Sequence, residues 1–519
     1  MEWHRDCNLA DYSMQLLLIA TNETSLVEVI ILYSIYSPPL SFPHNHTTVV
    51  EPHNTTVFDL QAVFLSDIDE LGTNTSTVAW IDQPVQIKTV GHKLISVHVL
   101  SSILNSTSLF PTYPLSTGSG LPYIVITEDE SYLPISNTLK MVPSQTLTIN
   151  FPSEFTDFCV KPSVNSAALY GLSFEAQGNP RCLASSALSI AAGRNVSTAM
   201  RCSGVLVLES QSSNTELPRH VTERGETFTN TIVHATKPIQ VYAGRVQKLA
   251  CSPSDIRYTV QPVYQVLDTS WGYTYIVFTN IFDSSFNLLP FTSYPQSYYE
   301  GVHTRSLKYI INTDSTEVGS NTWYVWNSSF TLCESYSVTQ STPRNYLNDV
   351  LVQTNPVAYM IRAHNFPITL TMQLLLQRGP EYSTLFTVPP VEQYRNQYIV
   401  PDPRFYYSLN KIHSNDLSQY FLTIVVPAKY LNLSGTVVLD GSPIENFIDF
   451  KIGETLAFVA TRITPADVHA SHTVRHTNPR ARIGVQVFGF TGSGSSMRNM
   501  YAFAGGSLLQ PVFTEGTCL

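Results

Sequence analysis

Apolar and polar positions along this chain alternate with a period of two far more often than they recur every three or four residues. In PIQVYAG (238–244), Ile239 and Val241 alternate with Gln240 and Tyr242, the pattern of a strand with one face in a core. Val85 and Ile87 repeat it, as do Val485 and Val487. In TVVLDGSPI, Asp440-Gly441 sits between apolar flanks, and this residue pair accepts the positive φ angles of a two-residue hairpin. One stretch, LASSALSIAAG (183–193), has a helix-forming composition, and a short helix is expected there. Many short strands with frequent turns predict an all-β fold of sandwich-like units rather than α/β layers.

The pattern also repeats on a longer scale. A proline leading an apolar strand recurs at Pro84, Pro238, Pro356 and, more loosely, Pro479. PYIVITED, TYIVFTN and QYIVPDP follow the first three, with Tyr123, Tyr275 and Tyr398 standing 39, 37 and 42 residues after the proline. Three co-spaced signals in one order predict tandem β units of 1–122, 123–274, 275–397 and 398–519. The second unit, at 152 residues against 122 or 123 for its siblings, is oversize. The surplus is assigned to an insertion at 155–205, which carries Cys159, Cys182 and Cys202. So short an excursion buries too little to hold itself and needs a staple. A disulfide within this trio is expected, first Cys182–Cys202, with Cys251 as partner for Cys159.

Composition narrows the function classes. Charged residues are 13% of the chain, against the roughly 25% usual in globular proteins, and the formal net charge is −10. No basic run is present, so a phosphate-binding surface and a nucleic-acid partner are not expected. Eight N-glycosylation sequons begin at Asn22, Asn45, Asn54, Asn74, Asn105, Asn195, Asn327 and Asn432, none with proline in the middle. With seven cysteines and few lysines, they predict a secreted, extracellular glycoprotein. The run Leu16–Ala20 is too short for a signal core and follows acidic residues, so the leader is read as missing from this chain. No stretch reaches the ~18 apolar residues of a membrane span.

Candidate chemistry is sparse. Asp467, His469, His472 and His476 in DVHASHTVRH could be metal ligands by residue type. Strand geometry, however, sets 467 and 469 on one face and 472 and 476 on the other, so they are read as ordinary polar groups and no metal is expected. Asp67, Asp69 and Glu70 lack the twelve-residue frame of a calcium loop and are read as a solvated turn. The glycines of STGSG and TGSGSS lack the strand and lysine context of a phosphate loop, and their spacing is not that of a nucleophile elbow. Trp271 is read as core. No catalytic residue and no cofactor are assigned.

KPIQVYAG…CSPSDIRYTVQPVYQVLDTSWGYTYIVF resembles the N-terminal domain of the IgG-Fc-binding protein family. The resemblance rests on Gly244, Cys251, Ser270-Trp271-Gly272 and Tyr275-Ile276-Val277. LSGTVVLDGSPI and VQVFGF…YAFAGG are similar to later segments of the family, and a cysteine, Cys518, lies near the end as the family domain tends to have. Cys251 stands alone where the family commonly has two cysteines, so no disulfide scheme is carried over. The resemblance implies a secreted, non-catalytic protein of mucus, egg coats or matrix that binds other glycoproteins, with immunoglobulin Fc or mucins among the partners. Two other classes stay open: a carbohydrate-active enzyme on a β scaffold, recognisable by two carboxyls about 5–10 Å apart in a pocket, and a purely structural spacer.

Overall fold

The structure is a computed structural model. It describes the strands named below together with residues 24, 51–52, 54, 90–93, 125, 152–155, 201–203, 228, 231, 236–239, 388–396, 402–403, 430, 436, 440–441, 444, 470, 477–483 and 505–506. The chain divides into two compact units, one of Met1–Pro52, Thr56–Val266 and Gln510–Leu519, the other of His53–Thr55 and Leu267–Leu509.

The first strands are β1 (Tyr12–Ala20), β2 (Ser25–Ile31), β3 (His44–Val50), β4 (Thr55–Asp59), β5 (Thr77–Ile81), β6 (Val85–Thr89), β7 (Ile95–Ile103) and β8 (Ser106–Thr112). Next come β9 (Tyr123–Ile124), β10 (Val142–Phe151), β11 (Thr156–Lys161), β12 (Leu172–Glu175) and β13 (Ala187–Ile190). β14 (Val196–Met200), β15 (Gly204–Gln211), β16 (Ile232–Ala235), β17 (Gln240–Lys248) and β18 (Ile256–Val263) follow. The second unit opens with β19 (Thr274–Phe278), β20 (Asn280–Phe282), β21 (Leu288–Pro290), β22 (Thr304–Thr313) and β23 (Thr322–Asn327). It continues through β24 (Leu332–Ser337), β25 (Arg344–Asn348), β26 (Ala358–Ala363), β27 (Ile368–Leu376) and β28 (Ser383–Thr387). Last are β29 (Gln397–Pro401), β30 (Gln419–Pro427), β31 (Val437–Leu439), β32 (Ser442–Pro443), β33 (Ile448–Ile452), β34 (Leu456–Ile463), β35 (Ser471–His476), β36 (Gly484–Thr491) and β37 (Asn499–Ala504).

The fold is all-β, and one strand order recurs. Read in a common direction, the larger sheets run β4-β1-β7-β8, β15-β10-β17-β18, β25-β22-β27-β28 and β34-β30-β36-β37. The smaller ones run β3-β2-β6, β14-β11-β16-β9, β24-β23-β26-β19 and β32-β31-β35-β29. Two of the larger sheets carry one more strand on the same side. Beyond β34 this is β33, its own neighbour in sequence, whereas beyond β15 it is β5, from residues 77–81.

Alternation explains how the sheets meet. Leu16, Leu18 and Ala20 of β1 pack on Val27 and Val29 of β2 and Val50 of β3. Leu147, Ile149 and Phe151 of β10 and Val241 and Ala243 of β17 face Phe158 and Val160 of β11 and Val233 and Ala235 of β16. Each fully buried Leu, Ile, Val or Phe side chain among them contributes about 1.5–3 kcal/mol. Gln240 and Tyr242 stand on the opposite face, half-buried, as the period-two reading requires. The run Leu16–Ala20 is buried on both faces of β1, so its unbroken apolar character belongs to a central strand.

Two expectations are corrected. Within LASSALSIAAG, Ala187–Ile190 is β13, paired antiparallel with β12. Cross-strand hydrogen bonds and burial override a helix propensity that differs by only tenths of a kcal/mol per residue. The proline-led strands do not share one place either. β6 after Pro84 and β26 after Pro356 lie in the smaller sheets, whereas β17 after Pro238 and β36 after Pro479 lie in the larger ones. Proline suits the first position of any strand, so it marks a strand start and not a particular strand. The Tyr-Ile signature is the better marker: β9, β19 and β29 each end their smaller sheet at the same place.

Candidate functional site

Asp440 and Gly441 have φ values of 49° and 86° and join β31 to β32 across the pairs Leu439↔Ser442 and Val438↔Pro443. This is the two-residue hairpin that the Asp-Gly pair predicts. The turn also aims the Asp440 carboxylate at the neighbouring strand. Oδ1 accepts a hydrogen bond from the Thr473 amide at 2.7 Å, and Oδ2 lies 2.6 Å from His472 Nδ1. On the far side of the ring, His472 Nε2 lies 3.1 Å from Oδ2 of Asp402, the residue that follows β29. One histidine on β35 thus ties both flanking strands of its sheet, β29 and β31.

His472 and Asp402 are fully buried, and the Tyr420 ring lies 5.5 Å from the imidazole. Burial works against a charge on His472. The hydrogen bonds to Asp402 and Asp440, with the negative charge of both, outweigh it and raise its pKa above 6.5. A doubly protonated ring donates from both nitrogens, one to each carboxylate. Because the two nitrogens look to opposite sides, no common point faces all three groups as a metal would need. Among the described residues no group of three His, Cys, Asp or Glu is arranged to hold a metal ion. Chemically the cluster is a charged clamp.

His476, two positions beyond Val474 on the same face of β35, is held separately. Its Nδ1 accepts from the Asn478 amide at 3.0 Å and its Nε2 donates to the Tyr430 carbonyl at 3.2 Å. Asp467 and His469 lie outside the described residues, as do Asp67, Asp69, Glu70 and Trp271. The structure therefore brings His472 together with Asp402 and Asp440, neither of which the histidine-rich motif contains. Separations of 70 and 32 residues hid them.

Cys159 and Cys202 are both disulfide-bonded. Cys182 and Cys251 lie outside the described residues. Of the sequons, Asn45 and Asn54 are exposed, and Asn327 lies on β23. Asn22, Asn74, Asn105, Asn195 and Asn432 lie outside the described residues.

Two surface features stand apart from the core. Phe155, in the β10–β11 connection, is 68% exposed and has a φ of 53°, unusual for an aromatic residue. The other is on the outer face of the β3-β2-β6 sheet. Leu26 of β2 pairs with Val49 of β3, and Val90 directly follows Thr89, the partner of Val27, on the opposite side. Leu26 and Val49 form a cross-strand row, Val90 opens the 3-10 turn Val90–His92 at the end of β6, and the three are 40%, 51% and 45% exposed.

No helix among the described residues is long and apolar enough to cross a membrane. Neither the curated proteins nor the solved structures give a match to this chain. A family model described as IgGFc binding protein matches residues 185–489, more than half of the sequence. The matched span holds Gly244, Cys251, the Asp440-Gly441 turn and the whole Asp402–His472–Asp440 clamp. The chain therefore belongs to the IgG-Fc-binding protein family, a family of non-enzymatic binding proteins.

Proposed function

We propose that this chain is a secreted, disulfide-containing glycoprotein that binds extracellular glycoprotein partners, immunoglobulin Fc among them, through the outer faces and loops of its sheets. The observation that carries the proposal is the family match over residues 185–489. The exposed Asn45 and Asn54 sequons and the bonded Cys159 and Cys202 support the extracellular part. The recurring strand order supports four tandem units with boundaries near residues 123, 275 and 398.

The cysteine assignment has its own support. Cys159 lies between Phe158 and Val160 on β11 and so points away from the core that they fill, whereas Cys202 packs against that core. The two bonds accordingly run to different cysteines, with Cys182 and Cys251 as the proposed partners and Cys182–Cys202 as the first assignment. Peptide mapping without reduction reads the pairs directly.

The partner is tested by immobilising the full chain, secreted from cells that glycosylate it, and passing over it IgG Fc, mucin glycoproteins and enzymatically deglycosylated forms of each. Saturable binding to a glycoprotein partner above that to a non-glycosylated control protein is expected. Equal binding to all analytes would overturn the reading, and loss of sugar mass from a partner would move it to the enzyme class.

A further inference from the structure

We propose that Asn45 carries an N-linked glycan whose first sugars lie across the exposed apolar row of Leu26 and Val49, with the exposed Val90 at the end of β6. The inference rests on the secreted reading above and goes beyond it by giving one glycan a defined place on the protein.

Strand alternation puts the anchor and the row on one face. Val27, Val29, Val50 and Ile87 point into the core, so Leu26, Glu28, Asn45, Thr47, Val49 and Lys88 point outward. Asn45 stands four residues before Val49 on β3, about 13 Å at the rise of a strand. That is within reach of the first two sugars of an N-linked glycan. The ground between is polar: Glu28 pairs with Thr47 on one side and Lys88 on the other. Sugar hydroxyls therefore meet a carboxylate, a hydroxyl and an ammonium group on the way. The C–H face of a pyranose ring can then rest on the leucine and valines, which removes apolar surface of both from water. β3 also ends its sheet among the described residues, so a glycan there would shield an edge from pairing with another chain.

The test uses the full chain with a leader fused, secreted from glycosylating cells. Glycopeptide mass spectrometry reads occupancy at Asn45, and an apolar fluorescent dye reads exposure of the row. Asn45→Gln and Thr47→Ala each remove the sequon and are expected to raise dye fluorescence about twofold or more. Adding Leu26→Thr, Val49→Thr and Val90→Thr to Asn45→Gln should return the signal to the wild-type value. An unoccupied Asn45 in a chain glycosylated elsewhere overturns the proposal and leaves secretion intact. So does an occupied Asn45 whose removal leaves dye binding unchanged. If the glycosylated wild type self-associates with concentration and the triple threonine change abolishes this, a second copy covers the row and the proposal falls. A chain glycosylated at no sequon instead fails the secreted reading itself.

Discussion

The β11–β14 hairpin and the β31–β32 hairpin hold the same place in sheets of the same order, yet their ends are secured in different ways. Between β31 and β32 the chain turns in two residues, Asp440 and Gly441, and the turn itself supplies a carboxylate to His472. Between β11 and β14 it leaves at Lys161 and returns at Val196, with the β12–β13 hairpin in the excursion. There, Cys159 and Cys202 are each disulfide-bonded, with Cys182 and Cys251 the proposed partners. A tight turn leaves little loop entropy to offset, so a clamp of charge can hold the strands. A long excursion gains more from a cross-link that restricts the unfolded chain. The larger sheets that accompany these two differ at their outer edge as well, β33 being local to its sheet and β5 arriving from far along the chain.

The largest expected effect breaks the charged clamp. His472→Leu leaves the fully buried Asp402 facing an apolar group, which should cost about 3–5 kcal/mol in urea unfolding of the Leu267–Leu509 unit. Reduction of the disulfides at Cys159 and Cys202 comes next. It should remove about 2–4 kcal/mol from the unit holding Thr56–Val266, again by urea unfolding, and leave the His472 clamp unaffected.

Two buried histidines should respond to pH in opposite directions. The pKa of His472 is raised in the fold, so its contribution is fully present below 6.5 and is lost as pH rises through the folded value. His98, buried in β7, is the reverse: burial lowers its pKa from 6.5 to about 3. Its contribution is present above 6.5 and is lost as pH falls toward 3, at up to about 1.4 kcal/mol per pH unit. Denaturant midpoints measured across pH should show alkaline loss in one unit and acid loss in the other, and His472→Leu should flatten the alkaline limb. The smallest effect is at the turn. Gly441 has a φ of 86° and open space where a side chain would stand, so Gly441→Ala should cost only about 1 kcal/mol of backbone strain in a thermal melt.

Period-two alternation made much of the fold legible, because it is a local consequence of a strand with one buried face. Ile239 and Val241, Val485 and Val487, and the Asp440-Gly441 turn all follow from residues next to one another. Where a strand is buried on both faces the rule weakens. Leu16–Ala20 shows no alternation, and Gln486 is buried between Val485 and Val487. The clamp was legible only in part. Asp440 declared itself as a turn residue, and His472 as a polar strand residue, but only the pairing of β35 with β29 and β31 joins them to Asp402. β5 was illegible for the same reason, since its partner β15 is set by packing far along the chain.

Amide hydrogen exchange, corrected for its intrinsic pH dependence, tests the contrast between the two hairpins most directly. The full chain is followed with and without reductant at about pH 6, and without reductant at about pH 9. Reductant should lower protection in β11 and β14 while β31 and β35 keep theirs, and the higher pH should lower protection in β31 and β35 while β11 and β14 keep theirs. If both hairpins loosen together under either treatment, or if β35 is indifferent to pH, the account of a covalent staple in one sheet and a charged clamp in the other is contradicted.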